Sequence, residues 1–197
     1  MSTDEARALW DAEAATFDDE PDHGLGDPAT REAWRALLLA HLPPAPARVA
    51  DLGCGTGSLS VLLAEEGFDV RGVDLSGEMV DRARVKARDA GVDALFAQGD
   101  AAAPPLPPGT FGVVLSRHVL WALPDPAAGL ARWLDLLAPG GTLLLVEGFW
   151  HTGAGLSAAD TEALVRAAGR DAEVRHLTDP VLWGKEVSDE RYLVVSR

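Results

Sequence analysis

A single cysteine, Cys54, stands in the 197 residues, so neither a disulfide framework nor a cysteine-based zinc cluster can form within one chain. Positive charge is also scarce: 17 Lys and Arg face 31 Asp and Glu, for a formal net charge of −14. Affinity for nucleic acid comes mainly from cations meeting phosphates, so this balance argues against a nucleic-acid partner. No apolar run approaches the roughly 18–20 residues needed to cross a bilayer, which argues against a membrane span. The start, Met1-Ser-Thr-Asp-Glu-Ala-Arg, lacks the basic stretch and apolar core of a secretory signal, and a cytoplasmic protein is expected. Asn and Ile are absent and Arg outnumbers Lys, a coding bias with no chemical meaning.

What is present is ordinary for a globular protein, with 47% hydrophobic and 24% charged residues. The length suits one domain over residues 1–197. Short apolar runs alternate with amphipathic segments, which predicts an α/β fold with a mostly parallel sheet. Arg48-Val-Ala-Asp-Leu is a first strand, followed by a helix carrying Leu59, Leu62 and Leu63. Asp69 to Asp74 is a second strand, and Ser76 caps a helix that runs to Ala90 and stops at Gly91. Ala94 to Gln98 is a third strand, and the proline-rich stretch Ala101 to Thr110 is a loop.

Val113-Val-Leu-Ser is a fourth strand, and Asp125-Pro126 caps a helix with Leu130, Trp133 and Leu137. Pro139-Gly-Gly predicts a tight turn into a fifth strand, Thr142 to Glu147. After a helix over Ala158 to Ala168 come two weaker strands, Glu173 to Leu177 and Tyr192 to Ser196. No long helix separates these two, so an antiparallel pair is expected within residues 151–197. The expected architecture is a Rossmann-like seven-stranded, mostly parallel sheet with helices on both faces.

Residues 1–41 precede the first strand and carry two helical patterns. Trp10, Ala14 and Phe17 share one face, and a second helix starts at Asp27-Pro28. Asp18 to Gly24 between them predicts an acidic, mobile loop. A helical lid over the C-terminal strand ends is the expected arrangement, because open α/β sheets bind ligands there.

The most specific feature is Asp51-Leu-Gly-Cys-Gly-Thr-Gly57 at a strand end. Glycine lets backbone approach a ligand closely. The dinucleotide fingerprint needs Gly or Ala where this chain has Ser58. The spacing is instead G-x-G-x-G, with Asp51 two residues before the first glycine. Asp74 closes the next strand and can accept from both ribose hydroxyls, and Asp100 follows the third strand.

With these motifs the chain resembles the class I S-adenosylmethionine-dependent methyltransferases over roughly residues 45–150. Val49-Ala-Asp-Leu-Gly-Cys-Gly-Thr-Gly matches their first motif. Gly72-Val-Asp-Leu-Ser, Gln98-Gly-Asp-Ala and Leu137-Ala-Pro-Gly-Gly-Thr-Leu match later ones, in order. The resemblance implies S-adenosylmethionine as cofactor and S-adenosylhomocysteine as product. It implies that Gly53, Gly55 and Gly57 line the methionine and ribose portion, with Asp51 orienting that loop or the cofactor's amino group. Asp74 would hold the ribose, Leu75 and Met79 would lie beside the adenine, and Asp100 and the Ala101 backbone would pair with it. Arg117 would sit near the methionine end. Each has a plainer alternative: a sharp turn for the glycines, a helix entry for Asp74, a loop cap for Asp100. Cys54 reads as a packing residue rather than a nucleophile.

The acceptor side is less determined. Methyl transfer asks chiefly for alignment and exclusion of water, and a base only when the nucleophile arrives protonated. His118 is the first candidate for a base or an acceptor-orienting residue, because the ordinary histidine pKa of about 6.5 suits proton removal near neutrality; the alternative is a loop-holding histidine. Trp121 either walls the pocket or packs in the core. Trp150 and His151 either face the acceptor or form a surface turn. On the lid, Phe17 and His23 are a closing aromatic and a second base, or a packed face and a solvated loop. His41 and His176 read as structural or surface residues. No ligands stand at metal-binding spacing, so no metal is expected.

Methyltransferases acting on base amines often carry Asn/Asp/Ser-Pro-Pro-aromatic after the fourth strand, where this chain has Ser116-Arg-His-Val. That points to a small-molecule acceptor, with nitrogen slightly ahead of oxygen and both ahead of carbon. The acidic stretch Asp18 to Asp22 leans towards a cationic amine. Two rivals remain: a nicotinamide-dependent oxidoreductase, and a non-catalytic S-adenosylmethionine-binding protein. Oligomeric state is not readable.

Overall fold

The computed structural model describes residues 2–197. Helix α1 (Thr3–Glu13), a 3-10 turn (Phe17–Asp19), α2 (Pro21–Gly24) and α3 (Pro28–Leu39) precede the sheet. Then come β1 (Arg48–Leu52), α4 (Ser58–Glu65), β2 (Asp69–Asp74), α5 (Gly77–Ala90), β3 (Leu95–Gln98) and β4 (Phe111–Arg117). The chain continues with α6 (Pro126–Asp135), β5 (Leu137–Phe149), α7 (Ala158–Ala167), β6 (Glu173–His176) and β7 (Glu190–Ser196). Among the described residues no helix is long and apolar enough to cross a membrane.

The strands form one seven-stranded sheet in the order β3-β2-β1-β4-β5-β7-β6. The pairs from β3 across to β5 are parallel, and β7 runs antiparallel to both β5 and β6. The order reverses between β1 and β4, the position where open α/β sheets open a crevice for ligands. Because β7 is antiparallel, its start lies beside the end of β5, with Arg191 opposite Gly148.

Alternation along the strands explains the layers. Val49, Val113, Leu115, Leu144 and Val146 point to one face, with Trp34 and Leu38 of α3 and Leu62 and Leu63 of α4. Ala50, Val114, Leu143 and Leu145 point to the other, packed with Leu130 and Trp133 of α6 and Val165 of α7. Both faces are covered, so these strands read as continuous apolar runs. Helix starts follow capping chemistry: Asp27, Ser76, Asp125 and Ser157 each accept a backbone N–H of the following turn.

Three expectations are corrected here. Pro139-Gly-Gly is not a turn before the fifth strand but a bulge inside it. The register steps from Phe111 opposite Leu137 to Val113 opposite Thr142, so the extra β5 residues loop out. The stretch Asp18 to Gly24 is not a free loop: it forms the 3-10 turn and α2, with Asp22 only 6% exposed. Phe17 also falls outside α1, beyond its C-cap at Ala14, although its ring still meets Trp10 edge-on at 6.4 Å.

One carboxyl interrupts the apolar run of β5. Glu147 is 0% exposed, and its Oε1 accepts from the backbone N–H of Val119 at 3.1 Å and of Leu120 at 2.8 Å. Those bonds tie the segment after β4 to the end of β5. Burial pushes the carboxyl up to about 8, against the pull of these two donors. Between the unfolded value of 4.5 and about 8 the unfolded chain releases this proton and the native state keeps it. The contribution of Glu147 to stability therefore falls as pH rises through that window. Glu147→Gln is expected to flatten the dependence of the urea midpoint on pH between about 5 and 8. An unchanged slope in the folded variant refutes a protonated Glu147.

Candidate active site

The turn between β1 and α4 is built around positive backbone angles. Gly53 (φ 71°) and Gly55 (φ 54°) are left-handed, and a Cβ on Gly53 would run into the Val119 side chain. Gly57 is the N-cap of α4. Asp51, at 3% exposure, accepts from Ser60 Oγ at 2.6 Å, and burial raises its pKa to about 6. It therefore fastens the loop to α4. Cys54 is a protonated thiol, raised well above its ordinary value by burial and then by Asp51 and Asp74.

Asp74 ends β2 and joins two elements. Its Oδ2 accepts from Gly55 N–H at 2.8 Å and its Oδ1 from Ser76 N–H at 2.9 Å. Burial raises its pKa, opposed by those backbone donors. Each carboxylate oxygen keeps further acceptor capacity beyond these bonds. Next to it a cavity of about 330 Å³ is lined by Leu75, Gln98, Gly99, Asp100 and Arg7. Asp100 also caps its own loop, accepting from Ala102 N–H at 2.8 Å, and the Ala101 carbonyl accepts from Trp133 Nε1 at 2.7 Å. Met79 departs from expectation: it is 1% exposed within α5 and does not line this cavity.

A glycine loop with no room for a Cβ, a carboxylate at the end of β2 and a polar-edged cavity beside Leu75 fit S-adenosylmethionine. They supply close backbone approach, acceptors for ribose hydroxyls and space for a base. Among the described residues no group of three His, Cys, Asp or Glu side chains is placed to hold a metal ion.

The loop after β4 carries the acceptor-side candidates. Arg117 donates to the Asp22 backbone carbonyl, and its guanidinium lies 5.2 Å from the Trp34 ring. His118 takes a left-handed φ of 61°, a conformation that costs a non-glycine residue energy and is held by its own N–H on Val146 O and by Glu147. Its ring lies parallel to Trp183 at 6.1 Å and edge-on to Trp150 at 5.3 Å, and its Nε2 is buried without a hydrogen-bond partner. Burial, then Arg117 and Arg191 and last the His23 ring, holds its pKa well below 6.5. This overturns the expectation of an ordinary histidine poised at neutrality: the imidazole is neutral there, and its protonated form is disfavoured.

The other candidates separate. Trp121 is half-buried, donates to His118 O at 3.0 Å and lies 5.2 Å from Trp150, so both tryptophans belong to the cluster. His151 does not: its side chain is 80% exposed and bonds Asp189 from the surface, as a plain turn residue. On the lid, Phe17 stacks on His23 at 4.2 Å and its ring lies over Gly55. Burial and Arg117 lower the His23 pKa, against Asp22, whose Oδ2 is 3.6 Å from His23 Nε2. Two lid carboxylates, Asp11 and Asp18, are engaged by the protein's own groups. Asp18 accepts from Thr56 Oγ1 at 2.5 Å and pairs with Lys86 at 3.0 Å, and Asp11 accepts from Ser76 Oγ at 2.5 Å.

Three residues at this edge escaped sequence reasoning. Glu147 left one signal, a lone acid in an apolar strand. Trp183 and Arg191 left none: Arg191 arrives with the antiparallel return of β7 beside β5, and Trp183 with the 3-10 turn Pro180–Leu182, where it meets Trp34 of α3.

Residues 50–145 match a family model described as a methyltransferase domain. The chain is 36% identical over 143 residues to the ubiquinone biosynthesis O-methyltransferase of Xanthomonas axonopodis pv. citri (strain 306), covering 71% of this chain and 56% of that protein. It is 41% identical over 115 residues to the trans-aconitate 2-methyltransferase of Streptomyces coelicolor, covering 55% of this chain and 38% of that protein. The chain spans about half the length of the curated relatives it matches. Among solved structures, magnesium protoporphyrin IX methyltransferase from Synechocystis PCC 6803 with bound S-adenosylmethionine aligns with a TM-score of 0.69 and 25% identity, over 85% of this chain and 78% of that one. From its glycine loop, its Asp74 site and these likenesses, the chain belongs to the class I S-adenosylmethionine-dependent methyltransferases.

Proposed function

We propose that the chain transfers a methyl group from S-adenosylmethionine to a nitrogen or oxygen nucleophile of a small molecule. The observation that carries this reading is the Asp74 carboxylate, bridging the glycine loop and the start of α5 beside the cavity at Leu75 and Asp100. The relatives support it, since the matched proteins are named as methyltransferases of trans-aconitate and of magnesium protoporphyrin IX, and as an O-methyltransferase of ubiquinone biosynthesis.

Bound at this site, S-adenosylmethionine supplies an electrophilic methyl on a sulfonium. The chain's own residues bind, orient and exclude water. Gly53 and Gly55 admit backbone approach, Asp74 accepts from the ribose hydroxyls, and Leu75, Asp100 and the Ala101 backbone flank the base. Arg117 offers a cation at the methionine end. Phe17 and His23 close over Gly55 from the lid and keep water from the reacting centre. Neutral His118 orients the acceptor; it is a weak base, because burial first and then Arg117 and Arg191 oppose its protonation.

Three outcomes test this. Asp74→Ala is expected to weaken S-adenosylhomocysteine binding by about 1–3 kcal/mol in calorimetry, the usual cost of unpaired polar groups; unchanged affinity in a folded variant removes the ribose role. His118→Ala is expected to lower turnover of methyl-labelled donor on a panel of amines, phenols and acids more than it lowers donor affinity. Equal turnover leaves His118 structural. The pH–rate profile is expected to show no limb near 6.5 that His118→Ala abolishes, because the histidine is already neutral there.

A further inference from the structure

Four tryptophans gather at one corner of the sheet's C-terminal edge. Trp34 meets Trp183 edge-on at 5.5 Å, Trp183 lies parallel to His118, and Trp150 joins His118 to Trp121. Between Trp150 and Trp183 lies the Arg191 guanidinium, 5.1 and 5.3 Å from the two ring centroids. Its flat faces are covered by indoles, so its orientation is set before any ligand arrives. One edge pairs with Asp189 at 3.2 Å. Its Nε is buried with no hydrogen-bond partner, and so is His118 Nε2. Buried polar atoms are nearly always paired, so two orphans within one cluster point to a ligand that pairs them.

Two arginines stand at this corner, Arg191 countered by Asp189 and Arg117 by Asp22. In a protein of net charge −14, the titratable groups that act on His118 are Arg117, Arg191 and His23, all basic. The acid that faces all three of them is Asp22, and it belongs to the lid. It lies beside His23, its own backbone carbonyl accepts from Arg117, and it is 6% exposed. A carboxylate of the lid thus sits between the His23 ring and two arginines of the sheet edge.

We propose that this corner is an anion subsite of the acceptor pocket, and that the acceptor is a planar carboxylate, an aromatic or conjugated acid. Its carboxylate takes the place of the Asp22 carboxylate among Arg191, Arg117 and His23, and its flat body packs against the half-buried Trp121 and Trp150. Guanidinium recognises carboxylate through a planar fork, and the indole faces accept a flat conjugated body. A cationic amine in the place of Asp22 would meet the Arg117 and Arg191 guanidinium groups, which reverses the lean towards an amine drawn from the acidic stretch Asp18 to Asp22. The inference rests on the methyltransferase reading above, since it assigns the acceptor of that same site.

The test uses the full chain saturated with S-adenosylhomocysteine and three probes of one shape: trans-cinnamate, cinnamamide and cinnamylamine. Binding is read by calorimetry and by quenching of tryptophan fluorescence. Cinnamate is expected to bind about ten-fold tighter than the amide, with the amine weakest. Arg191→Gln is expected to abolish that preference by weakening cinnamate alone, and Asp22→Asn to tighten cinnamate by removing the competing carboxylate. Equal affinity for the three probes, or no cinnamate binding, overturns the proposal. Should Arg191→Gln fail to fold, Arg191→Lys keeps the charge without the planar fork, and the ranking on the unaltered protein stands by itself. Loss of S-adenosylhomocysteine binding would strike the methyltransferase reading, whereas retained binding without a preference for the acid strikes only this inference.

Discussion

Both faces of the sheet are sealed by helices, with Val113, Leu115 and Leu144 buried on one side and Val114, Leu143 and Leu145 on the other. Polar chemistry has no place along such strands, because a charge held there would lose its water without replacement. It is confined to the strand ends, and the parallel pairs from β3 to β5 put all those C-terminal ends on one edge. Asp51, Asp74, Arg117 and Glu147 each stand in the last residues of a strand. The candidate site is what that confinement produces.

Each of these buried groups is tolerated because a donor or acceptor meets it. Asp74 is held by two backbone N–H groups and Glu147 by two more, so the loops after β1 and β4 are fastened to the sheet by carboxyls. The same burial shifts titration. Asp51 and Glu147 are pushed towards their neutral forms, as is His118. The edge is therefore a place of low dielectric where few fixed charges remain, and those charges count for more.

The lid closes this edge through polar pairs as well as apolar contact. Asp11 reaches Ser76, Asp18 reaches Thr56 and Lys86, and the Asp22 carbonyl receives Arg117, while Phe17 covers Gly55. Polar pairs of this kind hold a segment in register while letting it exchange partners, which suits an element that must admit two ligands.

Much of this was legible from residue order. The strand–glycine loop–helix of Asp51 to Leu63, the strand ending at Asp74 and the caps at Ser76 and Asp125 are local patterns, decided by neighbours within a few residues. The bulge at Pro139 was not, because a proline and two glycines look alike in a turn and in an irregular strand; only pairing with β4 distinguishes them. The fully buried side chain of Met79 was also hidden, since whether a helical residue faces a cavity or the core depends on how the helix packs. So was the environment of His118. Its low pKa comes from burial and from Arg191 and His23, residues far from it in sequence. Arg191 reaches the site because β7 returns antiparallel beside β5, and Trp183 because the turn before β7 packs on Trp34 of α3; contacts between such distant segments leave no mark in local sequence. The sequence by itself determined the glycine loop and the strand end at Asp74, because each is made by residues contiguous with its own strand. The aromatic and basic corner around His118 was decided by tertiary structure, because its side chains come from separate segments that only the folded sheet brings together.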